Sequence, residues 1–353
     1  MFGYRRQRGN YPYVTARVKA KKSHLLTKDN YPKLLMMDLN EISRFIGETQ
    51  YNTEMTELAS RYSGVNLIEL GTSKNLARTY TDIIGFTKGE LKDIVVAYLL
   101  RWDYWNIKTI LRGKSSGASL EEIQEDLVPA GSLSEEYLLS LVGKEGIPEV
   151  LESLEKVQGI ILPEDLKASL EKGENLAVVE DYLDRQYYTR LLESFEPKGK
   201  AKKLFLLFIE QEIDITNLRT LLKLKNAGLS VDRIRPYLIE GGHDLDMKEL
   251  TRLASAESFD AMVDELAKLP FYAELKEGLD KAKQTGSLND VNLSLQKYLV
   301  KQSEKFSHLY PLSVLPVIDY IIRKKIEVDN IRIIARGKAT GMDTDTIKKL
   351  LVM

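Results

Sequence analysis

The chain has 353 residues, 29% of them charged, yet 51 Lys and Arg against 52 Asp and Glu leave a net charge of only −1. That balance excludes a whole-molecule basic field for nucleic acid and leaves only local patches as charged recognition surfaces. With no cysteine there are no disulfides, thiolate metal sites or thiol nucleophiles, and the length allows two or three units of ordinary domain size.

The N-terminal MFGYRRQRGNYPYV carries Arg5, Arg6 and Arg8 but lacks the apolar stretch of a signal peptide. LLMMDLNEISRFIG, residues 34–47, has apolar residues at three- and four-residue steps and predicts a helix. The longest strongly apolar run, IVVAYLL at 94–100, has seven residues, against about 20 for a membrane-spanning helix, so no direct membrane span is expected. NIKTILRGKSSG at 106–117 ends like the phosphate-binding motif G-x-x-x-x-G-K-[ST]. Where that motif needs its first glycine, Lys108 stands, and Thr109 to Arg112 read as helix. No nucleotide is expected there.

The same stretch instead belongs to a repeat. WDYWNIKTILRGKSSGAS (102–119) recurs as IDITNLRTLLKLKNAGLS (213–230) and IEVDNIRIIARGKATGMD (326–343). Asn106, Asn217 and Asn330, 111 and 113 residues apart, serve as its origin. Three positions before each lies an acid (Asp103, Asp214, Glu327), and eleven after each lies a glycine (Gly117, Gly228, Gly341). Bases follow the asparagine at +2 (Lys108, Arg219, Arg332), +6 (Arg112, Lys223, Arg336) and +8 (Lys114, Lys225, Lys338). The likeness continues into SLEEIQEDLVPAG and SVDRIRPYLIEGG, where Gly131 and Gly242 stand 25 past their asparagines.

Each copy reads as one helix of an αα-hairpin. Apolar residues at +1, +4 and +5 form its inner face. The acid before the first turn suits the positive helix end, with Asp103 and Asp214 as expected N-caps. The asparagine then falls at the third helical position, where a local hydrogen bond holding the hairpin entry is its simplest role. The +8 lysines are expected to reach the C-terminal carbonyls, and the glycine to take the left-handed position that ends the helix. Ser119, Ser230 and Asp343 are placed to cap the next helix, Ser119 with Glu122 as a capping box.

IPEVLESLEKV, FDAMVDELAKL and LPVIDYIIRKKI are helical by the same spacing, GHDLD and QTGS are turns, and no alternating strand pattern of useful length occurs. The expected fold is all-α, with three pseudo-symmetric helical lobes at residues 1–130, 131–242 and 243–353. No catalytic set, cofactor site or metal site emerges: His24, His243 and His308 are scattered, and DYLDR at 181–185 reads as an amphipathic face. At 100° per residue, Lys108 with Arg112, Arg219 with Lys223, and Arg332 with Arg336 form parallel basic rows. These are the candidate partner interface, against the alternative of solvated faces with dipole compensation.

The threefold unit, together with YPYVTARVKAKKSHLLT and VVEDYLDRQYYTRLLE, resembles the family that holds the C subunit of archaeal A-type ATP synthases and the d subunit of vacuolar ATPases. The likeness spans essentially the whole chain apart from RRQRG. Its most specific stretch is VIDYIIRKKIEVDNIRIIARGKATGM, with Tyr320, Glu327, Asn330, Arg332 and Lys338; Arg17, Leu25 and Leu26 match in the N-terminal segment. The resemblance implies a funnel of three lobes that links the membrane rotor ring to the central-stalk subunits and passes torque between them. It implies a peripheral protein at the cytoplasmic face of the membrane, in a proton- or sodium-translocating machine, with no active site and no bound nucleotide. The alternative, a free-standing helical interaction scaffold, would favour stacked repeats of about 20–45 residues over a period near 110.

Overall fold

A computed structural model describes residues 9–158, 160–171 and 176–353, and every regular element among them is a helix. Arg5, Arg6 and Arg8 lie outside the described residues. The three repeat cores sit on the helices Arg101–Ser116, Lys200–Asn226 and Leu315–Ala339. Each ends as its glycine dictates: Gly117, Gly228 and Gly341 take φ of 72°, 76° and 69°, a region in which a β-carbon is costly. Gly113, Lys114 and Ser115 are helical, so the RGK stretch forms no phosphate loop.

Where the helices begin differs from expectation. Arg101–Ser116 starts two residues before Asp103, whereas Lys200–Asn226 and Leu315–Ala339 start more than a turn earlier than their acids. Asp103 and Asp214 are therefore not N-caps, and Asn217 and Asn330 lie deep in helix interiors. The segments KKLFLLFIEQE and LPVIDYIIRKK carry no breaker, so helix propagation, which adds a hydrogen bond per residue, runs straight into the repeat. The following helices are capped as the sequence suggests at two of three sites. Ser119 and Glu122 form the capping box and Asp343 accepts from the Thr346 amide, while Ser230 occupies the cap position without a side-chain bond.

The described chain divides into two compact units, one formed by residues 73–195 and one by residues 10–72 with 196–353. In the first, Arg101–Ser116 packs against Leu176–Glu193, Glu135–Val142 and Ile147–Gln158. Its core includes Ile107, Ile110, Leu111, Leu141, Val150 and Leu183, all essentially excluded from solvent. In the second, Leu218, Leu221 and Leu222 share a cluster with Leu250, Met262, Leu275 and Val291. Leu315–Ala339 is enclosed by Tyr11–Lys22, Leu39–Gly47, Asn289–Leu309 and Thr344–Lys349, which explains why it buries residues all round its circumference. Each fully buried aliphatic side chain stabilises by about 1.5–3 kcal/mol.

The hairpin of Tyr272–Thr285 and Asn289–Leu309 depends on one close approach. A β-carbon at Gly278 would lie 2.7 Å from the main chain of Val291, and backbone on the far side has little room to yield. Gly278→Ala is expected to destabilise the second unit by about 1–3 kcal/mol through this overpacking. Gly85→Ala, at a helical site with nothing within 4 Å, should instead stabilise by about 0.5–1 kcal/mol. Chemical denaturation monitored by amide exchange around Val291 distinguishes them, and equal effects would contradict the close approach.

Candidate functional site

The asparagines have one role in all three copies, and it is not local. Asn106 Nδ2 donates to the Val128 carbonyl at 2.8 Å while the Val128 amide donates to Asn106 Oδ1 at 2.8 Å. Asn217 does the same to Ile239, at 2.7 and 2.7 Å, and Asn330 to Val352, at 2.8 and 3.0 Å. The partner is always 22 residues later. All three asparagines are at most 1% exposed. One side-chain amide thus satisfies the donor and acceptor of one residue in a returning segment that has no strand or helix to pair with.

The acid of each copy completes the clasp. Asp103 accepts from the Ser132 amide and hydroxyl at 2.9 and 2.6 Å and from the Leu133 amide at 3.0 Å. Asp214 accepts from the amides of His243, Asp244 and Leu245 at 3.1, 2.8 and 3.1 Å. This explains Gly131 and Gly242: a β-carbon there would fall 2.0 Å from Asp103 Oδ1 and 2.2 Å from Asp214 Oδ1. In the third copy the acid is bound by a remote segment. Glu327 accepts from the Leu26 amide, from Gln50 Nε2 at 2.8 Å and from Tyr51 Oη at 2.6 Å, and pairs with Lys324 Nζ at 3.1 Å. Lys324 is wholly buried with its ammonium 3.9 Å from the Tyr51 ring centre. Burial depresses its pKa to about 8, against the opposing pull of Glu327. Nothing in the repeat spacing pointed to Lys324 or Tyr51.

Two of the three +8 lysines reach carbonyls, but those of a neighbouring helix rather than their own, and Lys338 makes no side-chain hydrogen bond among the described residues. Lys114 Nζ donates to Val142 and Lys144 carbonyls at 2.9 and 2.5 Å, and Lys225 Nζ to those of Ala254 and Ala256 at 2.9 and 2.5 Å. The basic rows are unevenly compensated. Lys108 pairs with Asp184 at 2.6 Å, and Arg112 donates from Nε and Nη2 to the two carboxylate oxygens of Glu180 at 2.5 and 2.6 Å. Arg336 forms the corresponding two-point pair with Glu69, and Arg332 Nη2 donates to the Glu69 carbonyl at 3.3 Å. Arg219 is half-buried, whereas Lys223 is exposed and has no ion-pair partner among the described residues.

His24, His243 and His308 are all exposed, His243 Nδ1 lying 3.3 Å from Glu210. Among the described residues no three His, Asp or Glu side chains group as metal ligands. In DYLDR, Leu183 points inward while Tyr182 is half-buried and donates to the Ile161 carbonyl. Desolvation, with Asp184 nearby, raises Asp181 to about 6.

Burial also raises Asp214 to about 6, the three main-chain amides opposing it only in part. A carboxyl whose folded pKa exceeds its unfolded value binds more protons when folded. Its contribution to stability is therefore fullest below pH 4 and declines as the pH rises through about 6. In a carboxyl-carbon NMR titration Asp214 is expected to titrate with a midpoint near 6; a midpoint at or below 4 would contradict its desolvation.

The family model described as ATP synthase (C/AC39) subunit matches residues 14–350. Proteins named as the C subunit of an A-type ATP synthase are similar throughout. That of Methanococcoides burtonii is 43% identical over 98% of this chain and 94% of its own length. Those of Haloferax volcanii and Archaeoglobus fulgidus are 37% and 38% identical, covering 98% and 99% of this chain and 98% of each relative. With clasp helices at residues 101–116, 200–226 and 315–339 all inside that match, the chain belongs to the C/AC39 subunit family of ATP synthases, as a non-catalytic subunit of the A-type complex.

Proposed function

We propose that this subunit is a rotor adaptor, linking the membrane rotor ring to the central stalk and transmitting torque between them in a proton- or sodium-driven synthase. The observation that carries the reading is the repeated clasp, which ties each core helix to its returning segment with buried, fully paired polar groups. A torque-bearing part must resist deformation, and a satisfied buried hydrogen-bond pair is costly to open because neither side finds water. No helix among the described residues is long and apolar enough to cross a membrane, which suits attachment through other subunits at the cytoplasmic face. In this reading the three repeat copies organise three lobes, at residues 1–130, 131–242 and 243–353, around a funnel that receives the stalk.

Ion pairing within the chain supports a narrower candidate for the stalk contact than the sequence does. In the first and third copies the row is met by this chain's own acids, Asp184 and Glu180 or Glu69. In the middle copy Lys223 is exposed with no ion-pair partner among the described residues, so Lys223 is the member of the rows that an acidic partner surface gains by covering.

Titration of the purified chain with purified central-stalk subunits tests both levels. Wild-type chain is expected to bind, and Lys223→Glu to weaken binding about two- to fivefold at low salt, as expected for a solvent-accessible ion pair worth up to about 1 kcal/mol. The difference should shrink at high salt. Absence of wild-type binding would overturn the adaptor reading; binding indifferent to Lys223→Glu would overturn only the surface assignment.

A further inference from the structure

In the first two copies the +8 lysine fastens a neighbouring helix end to the core helix. Lys114 donates to the carbonyls of Val142 and Lys144, at the end of Glu135–Val142 and just past it. Lys225 does the same to Ala254 and Ala256, at the end of Met247–Ala254 and just past it. The last carbonyls of a helix lack intrahelical partners and carry the negative end of its dipole, so a charge-assisted bond to lysine suits them.

The third copy draws the corresponding parts from the N-terminal segment. Glu327 holds the Leu26 amide just before Asn30–Met36, as Asp103 holds the Leu133 amide just before Glu135–Val142. Arg336 pairs with Glu69 on Gly64–Phe86 as Arg112 pairs with Glu180 on Leu176–Glu193. Asn30–Met36 packs on Thr344–Lys349 as Glu135–Val142 packs on Leu120–Glu125, and Leu39–Gly47 packs on its core helix as Ile147–Gln158 does. Asn30–Met36 therefore stands where Glu135–Val142 stands, and its end is the counterpart of the one that Lys114 holds.

Lys338 has not taken that end. It makes no side-chain bond among the described residues, and it lines a cleft of about 490 Å³ together with Met36, Met37, Asp38, Leu39 and Asn40. The turn there is shorter than its counterparts. Two residues separate Asn30–Met36 from the following helix, whereas four follow Glu135–Val142 and four follow Met247–Ala254. The carbonyl two residues past the helix end is thereby occupied, because Asp38 O accepts the Ile42 amide at 2.9 Å. The Asp38 carboxylate is engaged as well, by the Glu41 amide at 2.8 Å. The carbonyls of Met36 and Met37 are left for the ammonium.

We propose that the turn at Met36 and Met37 is a strap poised to close on the third core helix, its two carbonyls taking Lys338 as Val142 and Lys144 take Lys114. Closure shuts the cleft and fastens the N-terminal helices to the third copy. In the first two copies a continuous stretch of chain joins the core helix to the helix end that its lysine holds; in the third the two come from opposite ends of the sequence, so side-chain bonds alone make the join. The inference concerns this chain alone and does not rest on the adaptor reading.

Native-state amide exchange of the full chain, read at residues 30–47, tests the strap. Lys338→Met keeps an unbranched stem and removes the donors, and exchange in that stretch is expected to quicken about tenfold, as for the loss of a charge-assisted hydrogen bond. Lys225→Met, whose two bonds are in place, sets the factor for comparison at residues 247–262. Asp38→Asn preserves the helix cap while removing the carboxylate, and exchange there should stay within about threefold of wild type. Unchanged exchange at residues 30–47 in Lys338→Met would overturn the strap. Quickening spread evenly over the chain would overturn it too, since that reports global destabilisation. Equal quickening by Asp38→Asn would overturn it by making the carboxylate, and not the carbonyls, the partner of Lys338.

Discussion

A buried asparagine that pairs with both main-chain groups of a residue 22 positions later is the constraint on which the rest of this structure rests. The returning segments of the repeat run beside a helix without forming regular structure, so their amides and carbonyls need partners from elsewhere. An unsatisfied buried donor or acceptor costs about 1–3 kcal/mol, enough to expel such a segment from the core. Asparagine offers one donor and one acceptor at the spacing of a peptide unit; aspartate lacks the donor. The acid one turn earlier then collects the next amides, and a glycine 25 residues past each of the first two asparagines lets the main chain come close enough. Sequence, local geometry and packing are coupled in this one device.

The third copy shows what the device requires when the chain supplies its parts differently. The asparagine still holds its residue at +22, yet Glu327 is met by Leu26, Gln50 and Tyr51, from the opposite end of the sequence. The N-terminal helices therefore belong to the same compact unit as the last repeat. Lys324 lies in that junction, and its ammonium is tolerated there because Glu327 and the Tyr51 ring face it.

Much of this is legible in the sequence, and what is not has physical causes. The all-helical class, the left-handed glycines and the Ser119–Glu122 box follow from local spacing, because each involves groups within a few residues. Helix starts do not follow, because no breaker separates KLFLLFIEQE from Asp214, and amphipathic spacing alone does not mark a start inside continuous helix. The asparagine's partner is hidden since a side chain at one position does not disclose a main-chain contact 22 residues on, though Gly131 and Gly242 are the visible trace of the neighbouring acid's contacts. The compensation of Lys108, Arg112 and Arg336 by Asp184, Glu180 and Glu69 depends on tertiary packing, so spacing alone does not separate these residues from Lys223, which is exposed with no ion pair among the described residues.

The most direct measurement of the central claim compares Asn217→Ala with Asn226→Ala by equilibrium denaturation and amide exchange. Asn217 is wholly buried in its clasp, whereas Asn226 makes one solvent-accessible bond to the Gly286 carbonyl. The account predicts a loss of about 2–4 kcal/mol for Asn217→Ala, two buried main-chain groups left unpaired, with exchange protection lost at Ile239 and Leu245 together. Asn226→Ala should cost no more than about 1 kcal/mol. Equal, small losses with Ile239 still protected would contradict the account.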